Sequence, residues 1–169
     1  MRIGTKVLAL SASVLLGASG VTACTSDDGG DADHRQHQEE VAQRGSEVMP
    51  FDLDATTHIF DKNSEGVVER VAADDPQDGT QIRLVREHLT KEEARFEGGD
   101  FSDPTAVHGE AMPGVKELSE GASEIDVEYV EIPNGAELIF TTTDRTLVRA
   151  LHAWTDAQVY DHGDHASHG

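Results

Sequence analysis

Nine histidines stand in this chain of 169 residues, and they are unevenly placed. Asp161-His162-Gly163-Asp164-His165-Ala166-Ser167-His168 sets three imidazoles three apart, with an aspartate just before each of the first two. Neutral imidazole nitrogen suits copper and zinc, and carboxylate oxygen can complete the shell. Asp161, His162, Asp164, His165 and His168 are therefore one candidate cation site, carried on a polar tail. The alternative is a solvated terminus whose histidines are incidental. His34 and His37 lie in a second polar stretch near the other end.

The remaining four, His58, His88, His108 and His152, fall where the chain is patterned for a fold. His88 precedes Glu92 by four positions, as His152 precedes Asp156. On a helix that spacing sets a carboxylate beside an imidazole. Such a pair either orients a metal-bound histidine from behind or is an ordinary surface ion pair. His108 shares a long loop with Met112, and thioether beside imidazole favours Cu(I). His58 belongs to an expected strand. Copper or zinc is thus the cofactor chemistry these residues suggest.

Other chemistry is not advertised. Gly-x-Ser-x-Gly, a Walker-type loop, Gly-x-Gly-x-x-Gly and Cys-x-x-Cys are all missing from the sequence. Thr141 to Thr146 runs from a strand end into a helix and could cradle a phosphate. Asp144 within it would repel an anion, and capping accounts for Thr143.

These residues must be positioned by elements, and the first of those says where the protein works. Arg2 and Lys6 precede a short apolar run through Leu16, then small residues up to Val21-Thr22-Ala23-Cys24. The layout predicts a secretory leader over 1–23, since the run is too short for a bilayer of ~30 Å. Its end resembles a bacterial lipobox, which implies cleavage before Cys24, acylation of that residue, and anchoring to the extracytoplasmic face of the membrane. Cys24 is the one cysteine; acylated, it leaves no disulfide and no thiolate ligand. The chain carries 13 Lys+Arg against 33 Asp+Glu, formally −20; losing Arg2 and Lys6 takes it to −22. A protein so acidic does not bind nucleic acid by neutralising phosphates.

Residues 24–50 hold no aromatic side chain and few aliphatics, which predicts a disordered tether. From 51 to 163 the pattern is that of an α+β domain. Thr57–Lys62 and Gly66–Val71 flank a turn and predict a hairpin. Ile82, Val85, Leu89 and Phe96 make one helical stripe. Ile125, Val127 and Tyr129 alternate with acids, Pro133-Asn134-Gly135 turns the chain, and Leu138-Ile139-Phe140 continues. Val148, Leu151, Thr155 and Val159 mark a last helix. Leu84-Val85-Arg86 is echoed by Leu147-Val148-Arg149. The expectation is a ββα–ββα pseudo-repeat: a four-stranded, mainly antiparallel sheet with two helices on one face, and a free tail over 164–169.

Several segments carry a resemblance: Thr57-His58-x-Phe60, Gly99-Asp100-Phe101-Ser102-Asp103-Pro104, His108-Gly109-x-x-Met112-Pro113-Gly114, and Leu151-His152-x-Trp154-x-Asp156-Ala157-Gln158. With them the domain resembles a small family of uncharacterised bacterial secreted or lipid-anchored proteins, some labelled aspartate carbamoyltransferase. The motifs do not support that label. A transcarbamoylase carries a Ser-Thr-Arg-Thr phosphate loop and a His-Pro-Thr-Gln segment on about 300 residues, and both are missing here. The sequence reading is therefore a metal-binding lipoprotein, with a structural or interaction lipoprotein as the alternative and an enzyme third.

Overall fold

A computed structural model describes residues 28–169, so the leader and Cys24 lie outside the described residues. The elements are α1 (Asp28–Val48), β1 (Thr56–Lys62), β2 (Gly66–Ala73), α2 (Gly79–Glu97) and α3 (Ser102–His108). After them come α4 (Val115–Gly121), β3 (Asp126–Ile132), β4 (Gly135–Thr141), α5 (Arg145–His162) and β5 (Ala166–His168).

The class is α+β, and the sheet has five strands in the order β3-β4-β2-β1-β5. Two hairpins form where the turn residues predict them. Asn63 Oδ1 accepts from the Glu65 amide at 2.8 Å, and Asn134 Nδ2 donates to the Ala73 carbonyl at 3.0 Å. The four-stranded, mainly antiparallel expectation is corrected by β5, which runs parallel to β1 with Ala166 opposite His58. The residues expected as a free tail supply that strand. Gly163 turns the chain at φ +55°, a left-handed conformation that glycine adopts without strain. A three-residue strand is too short for alternation to reveal, and what recruits it is the open edge of β1.

One face of the sheet is apolar, and α2 and α5 lie on it. Asp78 caps α2 by accepting from the Thr80 and Gln81 amides at 3.0 and 3.1 Å. Asp144 caps α5 through the Thr146 and Leu147 amides. Phe96 of α2, Phe101, Phe140 of β4 and Trp154 of α5 meet with ring centroids 4.8–5.9 Å apart. On α5 the buried stripe is Leu147, Leu151, Trp154, Gln158 and His162. Val148 and Val159, expected on that stripe, are only half-buried, so the helix is rotated about one residue from the apolar reading.

The coil expected over 24–50 is, from Asp28 on, a 21-residue helix. Polar pairs four apart line it, such as Gln36 donating to Glu40 at 3.1 Å, but such pairs contribute only a few tenths of a kcal/mol each. Docking holds it. Val41 is fully buried, and Arg44 Nε donates to the Val107 carbonyl at 2.6 Å. Gly45 sits so near Leu53 and Met49 that a Cβ there would meet each at 3.0 Å. In this way α1 lies across α3 and α5. Among the described residues no helix is long and apolar enough to cross a membrane.

Candidate functional site

Alternation along β2 points Val67, Glu69 and Val71 to the helix-covered face, and all three are buried. Glu69 stands beside Phe60 of β1 and Leu138 of β4 in the register, so its carboxyl enters the core. On α2 the stripe Val85, Leu89, Glu92, Phe96 carries a second carboxyl inward. His58 follows the same alternation on β1. His88 comes from α2, Gln158 and His162 from α5, and Met49 from the residue just after α1. These side chains, with Trp154 and Asp103, line one part-open cavity of about 50 Å³. That volume admits a few water-sized groups, since one needs about 10–15 Å³.

The protonation states follow from burial. His58 is lowered to about 3 by loss of water, with His88 and His108 adding repulsion. Burial likewise lowers His162 to about 2, with His58 opposing a second charge. His88 falls to about 4 for the same first reason, although Asp103 pulls the other way. All three imidazoles are neutral in any ordinary medium. Burial raises Glu69 to about 8, with Glu92 as its charged neighbour. It raises Glu92 to about 7, helped by Asp103 and opposed by Arg95, whose Nη1 lies 3.4 Å away. Each carboxyl is thus pushed toward its protonated form mainly by loss of water, which for Glu92 the neighbouring Arg95 offsets only in part.

Three residues that line this cavity carry a buried polar atom without a partner among the described residues: His58 Nδ1, Trp154 Nε1 and Gln158 Nε2. Leaving such an atom unpaired costs about 1–3 kcal/mol, and three around one space single it out.

Beside the cavity, Asp161 bridges two histidines. Its Oδ2 takes His108 Nδ1 at 2.8 Å and its Oδ1 takes His37 Nε2 at 2.9 Å. Burial works to raise the Asp161 carboxyl, but the hydrogen bonds from His108 and His37 outweigh it and hold it below its ordinary range. The bridge ties α1 to α3 and α5. His108 meets His162 edge to face at a centroid distance of 4.8 Å, and His162 stacks on His58 at 5.4 Å.

The five tail residues do not form the cluster their spacing suggests. Asp161 and His162 are buried on α5, His165 Nε2 lies 3.5 Å from Asp54, and His168 Nε2 lies 3.1 Å from Asp156. The chain turns at Gly163 and extends into β5, which sends successive imidazoles to different neighbours. Asp164 faces an outer cleft. Neither expected i,i+4 pair exists: Glu92 turns inward to Arg95, and Asp156 pairs with Lys62. His152 Nε2 lies 3.0 Å from the carbonyls of Asn63 and Gly66, tying α5 to the first hairpin. Met112 is packed in the core, while His108 is held by Asp161. Among the described residues, no three of His, Cys, Asp and Glu are gathered closely enough to hold a metal ion as they stand.

Of the candidate donors, the fold brings together His58, His88 and His162; it adds Glu69, which sequence reasoning passed over, and Glu92, which the sequence offered only as a partner for His88. Both left a signal. Each is an acid on the buried phase of an otherwise apolar pattern, Glu69 between Val67 and Val71, Glu92 between Leu89 and Phe96. Compared with family models, curated proteins and solved structures, the chain finds no match.

Proposed function

We propose that this protein is a lipid-anchored extracytoplasmic module that takes up a transition-metal cation, copper or zinc, in the buried cavity for buffering or delivery. The observation that carries this reading is the set of cavity walls: three neutral imidazoles, two carboxyls without full compensation, and three unpartnered polar atoms. A cation could replace the protons on Glu69 and Glu92 and accept the His58 Nδ1 lone pair. Water bound to it would accept from Trp154 and Gln158. The donors would have to close on the ion by side-chain rotation. Neutral imidazoles support Cu²⁺ or Zn²⁺, because no proton need leave them on binding.

The test is calorimetric titration of the full chain carrying Cys24→Ser, so that no thiol competes, with Cu²⁺ and Zn²⁺. One cation per chain with micromolar or tighter affinity is expected. Glu69→Gln should weaken it at least ~10-fold, while the tail variant His165→Ala/His168→Ala leaves it unchanged. Binding weaker than millimolar to both ions would abandon the reading in favour of a structural or interaction lipoprotein. A second reading, general acid–base chemistry, is favoured by carboxyls raised to about 7 and 8. It would show as turnover without metal.

Anchoring at Cys24 belongs to the same proposal and rests on the lipobox-like sequence. Cys24→Ala should release the protein or leave it unprocessed; continued membrane attachment with normal cleavage would refute it. At the level of the fold, the order β1-β2-α2 followed by β3-β4-α5 supports reading the core as two ββα units. The first unit would supply His58, Glu69, His88 and Glu92, and the second Trp154, Gln158 and His162. The likeness to uncharacterised lipoproteins supplies no activity to add.

A further inference from the structure

From His34 onward α1 is fastened along its length. The His34 ring lies on Tyr160 with centroids 4.1 Å apart, Gln38 donates to the Tyr160 carbonyl at 3.0 Å, and His37 meets Asp161 at 2.9 Å. Further along, Val41 is fully buried and Gly45 packs against Leu53 and Met49. Only residues 25–27 separate Cys24 from this helix, and four Cα steps span at most about 14 Å. An anchor at Cys24 would therefore hold the domain close to the lipid and by one end. His34 lies about 9 Å along the helix axis from Asp28, and Val48, on the cavity wall, about 21 Å beyond His34.

At the anchored end Tyr160 is 60% exposed, the one large apolar side chain left open among the described residues. With Ala111, Met112, Pro113, Ala153 and Ala157 it lines a groove of about 600 Å³ between α5 and the loop after α3. The two carboxylates in that groove are engaged, Asp156 by Lys62 and His168, and Asp161 by His37 and His108.

We infer that the domain rests on the bilayer by this groove, with the Tyr160 ring among zwitterionic headgroups and the far end of α1, where the cavity opens, held away from the lipid. The inference rests on the proposed anchor at Cys24. Tyrosine suits such a position, since its ring is apolar and its hydroxyl stays in water. The groove is too small to hold a free protein on a membrane. The acyl chains do the holding, and at the high local concentration they impose the groove need only select one orientation. Anionic headgroups would oppose the contact, because the chain is formally −20. The half-buried cavity residues Met49, His88 and Asp103 then stand on the side open to solvent, where a dissolved ligand arrives.

The acylated full chain in phosphatidylcholine vesicles tests this, with one cysteine added to carry a fluorescent label while acylation occupies Cys24. Ala111→Cys puts the label on the groove, and Ser46→Cys, toward the other end of α1, is the control; both positions are exposed. Lipid bearing a nitroxide near its headgroup should quench the label at 111 at least ~3-fold more than at 46, and Tyr160→Ser should reduce that ratio at least ~2-fold. Equal quenching at both positions, or a ratio that Tyr160→Ser leaves unchanged, would overturn the docking face while the anchor stands. A label at 111 shielded from aqueous iodide yet untouched by the lipid nitroxide would overturn it too, with protein and not lipid filling the groove. If the chain carries no acyl group and does not float with the vesicles, anchor and docking fall together.

Discussion

Glu69 is the residue on which the site depends. A carboxyl raised to about 8 in the folded chain, against an ordinary 4.5, binds its proton more tightly folded than unfolded. Its contribution to stability is therefore fully present below pH 4.5 and is lost as pH rises through about 8. Glutamine keeps the shape and never ionises. In the metal-free protein, Glu69→Gln should leave the thermal midpoint unchanged near pH 4.5 and raise stability at pH 8 by about 2–5 kcal/mol. Melts in chelator at the two pH values measure it; equal effects at both would show that Glu69 is not held protonated. The same substitution should weaken the cation, so one variant gains stability and loses binding, as expected where an unfavourable group is kept for function. The sequence carried this residue in plain view. What hid it was the habit of reading acids as surface, which the alternation around it contradicts.

At the scale of elements, local pattern and long-range pairing separate. The two hairpins and the helices α2 and α5 could be read because turn residues, caps and apolar spacing agree within each short window. α1 and β5 could not, since neither has an apolar pattern of its own. α1 is held by Val41, by the close approach at Gly45 and by bonds from Arg44 and His37 to residues far along the chain. β5 forms only against β1. The candidate site was half legible for the same reason: histidines are visible by type, but which of them meet is decided by such pairings. Two predictions belong here. Val41→Ala should cost roughly 2–4 kcal/mol at its buried site, or less if α1 detaches on its own. In the second case residues 28–48 become the first cleaved in limited proteolysis while the remainder resists. Gly114→Ala should be worse tolerated. Gly114 has φ +81°, and a Cβ there would stand 2.3 Å from the Ala150 carbonyl oxygen. The strain and the displaced α5 backbone should together lower stability by about 2–4 kcal/mol in a denaturant titration. A loss under ~0.5 kcal/mol would mean that α4 and α5 do not pack as closely as described.

For the molecule as a whole, the buried groups pull in opposite directions with pH. His58, His88 and His162, lowered to about 3, 4 and 2 from an ordinary 6.5, stay neutral in the fold. The stability this represents is present above pH 6.5 and is lost as pH falls below it, because the unfolded chain takes up protons that the folded chain refuses. Glu69 and Glu92, raised to about 8 and 7, act in the reverse sense, and their contribution is lost as pH rises from 4.5. Between pH 4.5 and 6.5 three histidines outweigh two carboxyls, so stability climbs with pH; above 6.5 only the carboxyls still act, and it declines. The metal-free thermal midpoint should therefore peak near pH 6.5. A bound cation changes the balance, because it stabilises the ionised carboxylates and needs the imidazoles unprotonated. Saturating Zn²⁺ should raise the midpoint most at pH 8 and least below pH 5, shifting the peak upward. Melts from pH 4.5 to 8.5, in chelator and in Zn²⁺, read both curves. If the two stay parallel across that range, the ion is held on the −20 exterior and not by the groups in the cavity.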